Sequence, residues 1–129
     1  MSVKKISPTI CVDDPASSCD FYIKHFDAEV IFDAGWYIDI RIGLGELCFM
    51  KPQDSEQPLF SGSGLTYNLE VENVDAEYQR LLGFGLRPVM PLDDHPWGDR
   101  GFSITDPHGV VLYIYTLTEP SSEFKQFFK

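Results

Sequence analysis

Apolar and polar positions alternate from residue 4 to residue 12, and then the period changes: Ala16, Cys19, Tyr22, Ile23 and Phe26 recur at three- and four-residue spacing. Alternation by two marks a strand, and spacing near 3.6 marks one face of a helix. Asp13-Asp14-Pro15 stands at the change, offering a carboxylate cap and a proline for the first helical turn. Short alternating runs follow at Ala28 to Asp33, Trp36 to Ile42 and Glu46 to Lys51, broken by Ala34-Gly35 and Gly43-Leu44-Gly45, which predicts three strands. The second half repeats the plan. It reads as a strand over Leu65 to Glu72 and a helix over Val74 to Leu82, with Val74, Tyr78, Leu81 and Leu82 on one face, ended by Gly83 and Gly85. Strands near Arg87 to Met90, Phe102 to Thr105 and Val110 to Thr116 complete it, with a short helix in the tail 119–129.

The pattern is thus β-α-β-β-β twice, an α+β fold. Val12-Asp13-Asp14-Pro15 before one helix echoes Val71-Glu72-Asn73-Val74 before the other, an offset of roughly 60 residues that suggests a duplicated unit. The Pro-, Ser- and Gly-rich stretch 52–63 reads as the linker between a module of about 1–51 and a second of about 64–118. Within each strand one parity is almost wholly apolar: Ile10 and Val12, Leu47 and Phe49, Tyr67, Leu69 and Val71, Leu112 and Ile114. This is the face expected to pack on helices. The other parity is mixed: Ser7, Thr9 and Cys11, Cys48 and Met50, Thr66, Asn68 and Glu70, Tyr113 and Tyr115. It suits the lining of a cup open to solvent, so a curved mixed sheet with helices on its outer face is expected.

Asp106-Pro107-His108-Gly109 carries a type I turn: Asp first, Pro presetting φ at the second position, Gly at the fourth. The strands on either side are therefore expected to pair antiparallel. Ahead of them lies Pro96-Trp97-Gly98, after the polar run Asp93-Asp94-His95, which reads as a loop.

Composition narrows the function classes. Twenty acids against ten bases give a net charge of −10 over 129 residues. A phosphate backbone would be repelled, so nucleic acid is not an expected partner. The first residues hold no apolar leader core and no run approaches a membrane span, which predicts a cytoplasmic location and no membrane partner. Three cysteines, Cys11, Cys19 and Cys48, fit neither a disulfide framework nor a zinc knuckle and are expected reduced. Cys48, on the cup face, is the thiol to test for reactivity. His25 at a helix end suits the helix dipole, and His108 is expected in solvent. His95 stands beside Asp94, but neighbours on a loop rarely share an oriented hydrogen bond, so no catalytic pair is expected there.

The duplicated module, Val12-Asp13-Asp14-Pro15 through Asp20-Phe21-Tyr22, and the Asp106-Pro107-His108-Gly109 hairpin together resemble the vicinal oxygen chelate superfamily: glyoxalase I, extradiol dioxygenases, fosfomycin-resistance transferases and bleomycin resistance proteins. Phe32-Asp33-Ala34-Gly35-Trp36 and Pro96-Trp97-Gly98, ahead of Arg100 and Phe102, are similar to the ligand-contacting segments of the bleomycin resistance branch. The resemblance implies a domain-swapped homodimer whose rings at Trp36 and Trp97 sandwich a flat cationic ligand. The enzymatic branches hold a divalent metal on His, Glu or Gln at four strand positions. The matching positions here are Ser7, Cys48, Thr66 and Tyr113, so no metal or other cofactor is expected.

The expectation is a metal-free protein that sequesters a flat, cationic, antibiotic-like or natural-product molecule. Its candidate contacts are Phe32, Asp33, Trp36, Asp39, Arg41, Cys48, Asn68, Trp97, Gly98 and Tyr113, with no catalytic residue. The rival is a metal-dependent lyase, dioxygenase or thiol transferase of the same superfamily.

Overall fold

The computed structural model describes residues 2–129, which divide into two compact units between Ser61 and Gly62. The first unit runs β1 (Thr9–Cys11), α1 (Pro15–Phe26), β2 (Glu29–Asp33), β3 (Tyr37–Ile42) and β4 (Gly45–Met50). The second runs β5 (Thr66–Glu70), α2 (Val74–Gly83), β6 (Met90–His95), β7 (Asp99–Thr105) and β8 (Val111–Leu117), followed by a one-turn helix α3 (Ser122–Lys125). Each unit has its own four-stranded mixed sheet, in the orders β1-β4-β3-β2 and β5-β8-β7-β6. In both, the first strand joins the last in parallel and the other pairings are antiparallel.

Both helices begin as their sequences dictate. The Asp14 carboxylate accepts the Ser17 amide hydrogen at 3.2 Å, with Pro15 in the first turn, and the Asn73 side-chain oxygen accepts that of Ala76 at 3.0 Å. α1 ends at Asp27, whose φ of +53° closes the helix in the left-handed conformation that a short polar side chain tolerates. α1 packs on β3 and β4, and α2 on β7 and β8. One core gathers Val12, Cys19, Tyr22, Ile38, Ile40, Leu47 and Phe49, the other Val74, Leu81, Phe102, Ile104, Leu112 and Ile114. In the second, Tyr78 meets Phe102 edge to face at 4.9 Å.

Four expectations are corrected. The first strand is three residues long, so Ser7 precedes it. The strand expected near Arg87 to Met90 instead begins at Met90, and Asp93-Asp94-His95 lies in β6 rather than in a loop. As an edge strand, β6 tolerates a proline at position 91 and outward carboxylates, which hide its alternation. His108, expected in solvent, is half-buried, whereas His25 lies in the last turn of α1 as expected, buried against Phe21 with ring centroids 4.8 Å apart. On the apolar face of α1, Ser18 and His25 are buried whereas Ala16 and Ile23 are exposed.

The Asp106 turn forms as its residues predict. The Gly109 amide donates to the Asp106 carbonyl at 3.0 Å, and the buried Asp106 carboxylate accepts from the amides of His108 and Val110, both at 2.9 Å. Among the described residues no helix is long and apolar enough to cross a membrane.

Candidate functional site

Pairing register fixes which side chains share a face. Across the second sheet one row reads Asn68, Tyr113, Ser103 and Met90, the next Glu70, Tyr115, Gly101 and Asp93, and the last Leu117, Asp99 and His95. This is the face away from α2, the one with the mixed parity.

Pro96-Trp97-Gly98 forms the turn between β6 and β7, which sets His95 directly opposite Asp99. The His95 Nδ1 lies 2.8 Å from Asp99 Oδ1. The Tyr113 hydroxyl donates to that same oxygen at 2.6 Å, and the Trp97 indole Nε1–H donates to Oδ2 at 2.8 Å. A carboxylate only accepts, so the proton on His95 sits on Nδ1 and is shared with the Tyr113 oxygen 3.0 Å away. Asp99 is buried, 7% exposed, and these three donors supply the hydrogen bonds a buried carboxylate requires. Burial first, and the bond to Asp99 second, push the Tyr113 phenol far above its ordinary range. Tyr115, stacked on Tyr113 at 5.6 Å, is also raised, by burial and then by the Glu70 and Asp99 carboxylates.

Tyr113 reaches the cluster because position 101 is glycine. A Cβ there would lie 2.8 Å from the Tyr113 ring and 2.8 Å from the Ile114 carbonyl oxygen, so only a bare Cα lets the phenol lie across β7.

Trp97 is held on one side. Its ring stacks on His95 at 4.4 Å with only 5° between planes, its N–H is fixed by Asp99, and 43% of its surface remains exposed. Beside it Asn68, Trp97, Gly98, Asp99, Tyr113 and Tyr115 line a concavity of about 370 Å³. Of the residues picked out in sequence, Asn68, Trp97, Gly98 and Tyr113 therefore meet at one site. Its anchor Asp99 was missed, because it meets His95 across the β6–β7 turn rather than beside it in sequence. Asp94 turns instead to Arg100 at 3.4 Å, on the opposite face, where Arg100 also forks onto Asp75 of α2. The signal available in sequence was His and Asp flanking a three-residue turn.

The remaining candidates belong to the first unit. Phe32, Asp39, Cys48 and Thr9 form one cross-strand row. Asp39 has a buried Oδ1 with no hydrogen-bond partner among the described residues, and burial raises its carboxyl. Cys48 is buried, closing its thiol to solvent. Phe32 is exposed and meets Tyr37 edge-on at 6.0 Å. Asp33 accepts the Gly35 amide hydrogen at 2.8 Å, a turn contact, and Arg41 pairs with Glu29 at 2.9 Å on the surface. Trp36 follows that turn, 49% exposed, with its edge toward Tyr37.

The four positions matching metal ligands do not suit a divalent cation. Ser7 and Thr66 carry neutral hydroxyls, Cys48 is buried beside Asp39, and the Tyr113 hydroxyl is committed to Asp99. Among the described residues no three of His, Cys, Asp and Glu are grouped so as to hold a metal ion.

The fold is shared with known proteins. The model of the Glyoxalase/Bleomycin resistance protein/Dioxygenase superfamily matches residues 5–114. An uncharacterized protein of Mycobacterium bovis is 32% identical, with the match covering 92% of this chain and 84% of the relative. A lactoylglutathione lyase from Agrobacterium tumefaciens superposes with a TM-score of 0.68 at 18% identity, covering 90% of this chain and 96% of the other. A bleomycin resistance determinant encoded on the transposon Tn5 gives 0.67 at 16% identity. That alignment covers 89% of this chain and 98% of the other.

Proposed function

Because the chain belongs to the Glyoxalase/Bleomycin resistance protein/Dioxygenase superfamily, whose fold carries both a lyase and a resistance determinant, we propose that it binds a small planar cation without chemistry. The observation that carries this reading is Trp97, immobilised by His95 and Asp99 yet 43% exposed beside a concavity that aromatic rings and a few polar groups line. A ring fixed before binding loses little freedom when a ligand stacks on it. Its π-face attracts a delocalised cation, worth about 0.5–2 kcal/mol, and the net charge of −10 favours the same sign of ligand. The Asn68 amide offers a donor and an acceptor to the ligand's rim, and Glu70 stands on the same face across from Tyr115. Asp99 already accepts from three donors and acts as the anchor of the ring rather than as the ligand's counter-charge.

Titration with bleomycin and with 9-aminoacridine, followed by tryptophan fluorescence, tests this. The expected result is saturable quenching with a Kd on the order of micromolar, lost in Trp97→Phe and kept in Trp36→Phe. A flat response from folded wild-type protein to both compounds overturns it. The metal-dependent rival predicts stoichiometric zinc, nickel, iron or manganese in purified protein, whereas the donor set above predicts none. A second copy of the chain is part of the proposal, supported by the exposed apolar row Val30, Ile31 and Phe32 on the edge strand β2. A native mass of one chain argues against it.

A further inference from the structure

Beyond β8 the chain turns back across the β6–β7 turn. The Thr118 amide donates to the Gly98 carbonyl and the Ser121 amide to that of Pro96, each at 2.8 Å. Gly98 has φ of +113°, and a Cβ on it would lie 3.1 Å from Pro120, so the tail crosses close over the turn that carries Trp97. From α3, Phe124 meets Trp97 in a T-shaped pair with centroids 6.3 Å apart, and Phe127 packs on Phe124 at 6.0 Å. Further along the tail, Phe128 lines the same concavity as Asn68, Trp97 and Tyr113. Its amide bonds only within the tail, to the Lys125 carbonyl at 3.3 Å, and its ring remains 65% exposed. An aromatic ring that lines a concavity while most of its surface stays in water has apolar area left for a ligand to cover.

We infer that Phe128 is a ligand-contacting wall residue of the Trp97 concavity, and that the C-terminal tail, tied across the β6–β7 turn, covers a planar aromatic ligand stacked on Trp97. This rests on the binding function proposed above. Phe127 supplies an internal control: it is 61% exposed, equally apolar and one residue away, but it packs on Phe124 and does not line the concavity. With 9-aminoacridine as the probe, Phe128→Ala is expected to raise Kd about tenfold, mainly through faster dissociation, and Phe127→Ala less than about threefold. Equal losses in the two variants, or an unchanged Kd in Phe128→Ala, overturn the inference.

Acrylamide quenching in a Trp36→Phe background, where Trp97 is the only remaining indole, separates the two readings. If wild type binds no 9-aminoacridine, the binding function fails for that class, and the wall is judged without ligand. Greater quenching of Trp97 in Phe128→Ala than in Phe127→Ala supports the cover, and no difference overturns it.

Discussion

Asp99→Asn is the sharpest test of the cluster that holds Trp97. The substitution keeps shape and volume but exchanges one acceptor oxygen for an amino group. Asp99 takes hydrogens from Tyr113 and His95 on Oδ1 and from Trp97 on Oδ2. Whichever way the amide turns, its NH₂ therefore confronts either the indole N–H or the Tyr113–His95 pair. Hydrogen bonds to a charged group contribute about 1.5–3 kcal/mol each, and a buried donor left unmatched loses a similar amount. One bond lost and the others weakened come to about 2–4 kcal/mol, or roughly 10 °C in Tm for a chain of this size. Tyr113→Phe removes a single bond and is expected to cost about 1–2 kcal/mol. Since the two groups touch, the double variant is expected to fall short of additivity by about 1 kcal/mol. Urea unfolding followed by circular dichroism gives the energies, and Trp97 emission in a Trp36→Phe background reports whether the ring is released. A loss below about 1 kcal/mol for Asp99→Asn with unshifted emission, or strict additivity in the cycle, would refute the account of a shared anchor.

Gly101→Ala is expected to destabilise by about 2 kcal/mol or more, because the new methyl meets a backbone carbonyl that cannot yield as well as the Tyr113 ring; the urea midpoint checks it. The same variant, like Asp99→Asn, is expected to bring the Tyr113 phenol back toward its ordinary range, read as phenolate absorbance during alkaline titration. Burial pushes the Cys19 thiol up to about 12 from 9.0 and the Tyr67 phenol up to about 12 from 10.0. The unfolded chain releases both protons first, so the stability these groups contribute is complete below pH 9 and is lost as pH climbs toward 12. Cys19→Ala is expected to flatten the lower part of that decline in a pH series of urea midpoints, and an unchanged decline argues against it.

The elements legible in sequence are those whose signals are local. Caps at Asp14 and Asn73, alternation in β3 and β8 and the Asp106 turn each depend on residues within a few positions. β6 escaped because an edge strand with one face in water and a proline at position 91 has little apolar pattern to display. The site was half legible for a related reason. Parity brought out Asn68 and Tyr113, and the resemblance of Pro96-Trp97-Gly98 to a ligand-contacting segment brought out Trp97 and Gly98. The bond of Asp99 to Tyr113 spans 14 residues and follows from register, and its reach depends on a missing side chain at position 101. Phe128 arrives from a tail whose course depends on two main-chain bonds that no residue type announces.

The two sheets expose corresponding edges of opposite character. β2 and β6 occupy the same place in their modules, the first strand after the helix and the outermost in the sheet. β6 carries Pro91, Asp93 and Asp94, and a proline together with repelling carboxylates denies a foreign strand both donors and contact. β2 offers Val30, Ile31 and Phe32 to solvent, interrupted only by a register shift between Val30 and Phe32. These edges are alike in position, yet one of them is sealed. Of these two edges only β2 is open to strand-to-strand growth, whether into an ordered assembly or into aggregate, and a charge placed at Ile31 is the change that would close it.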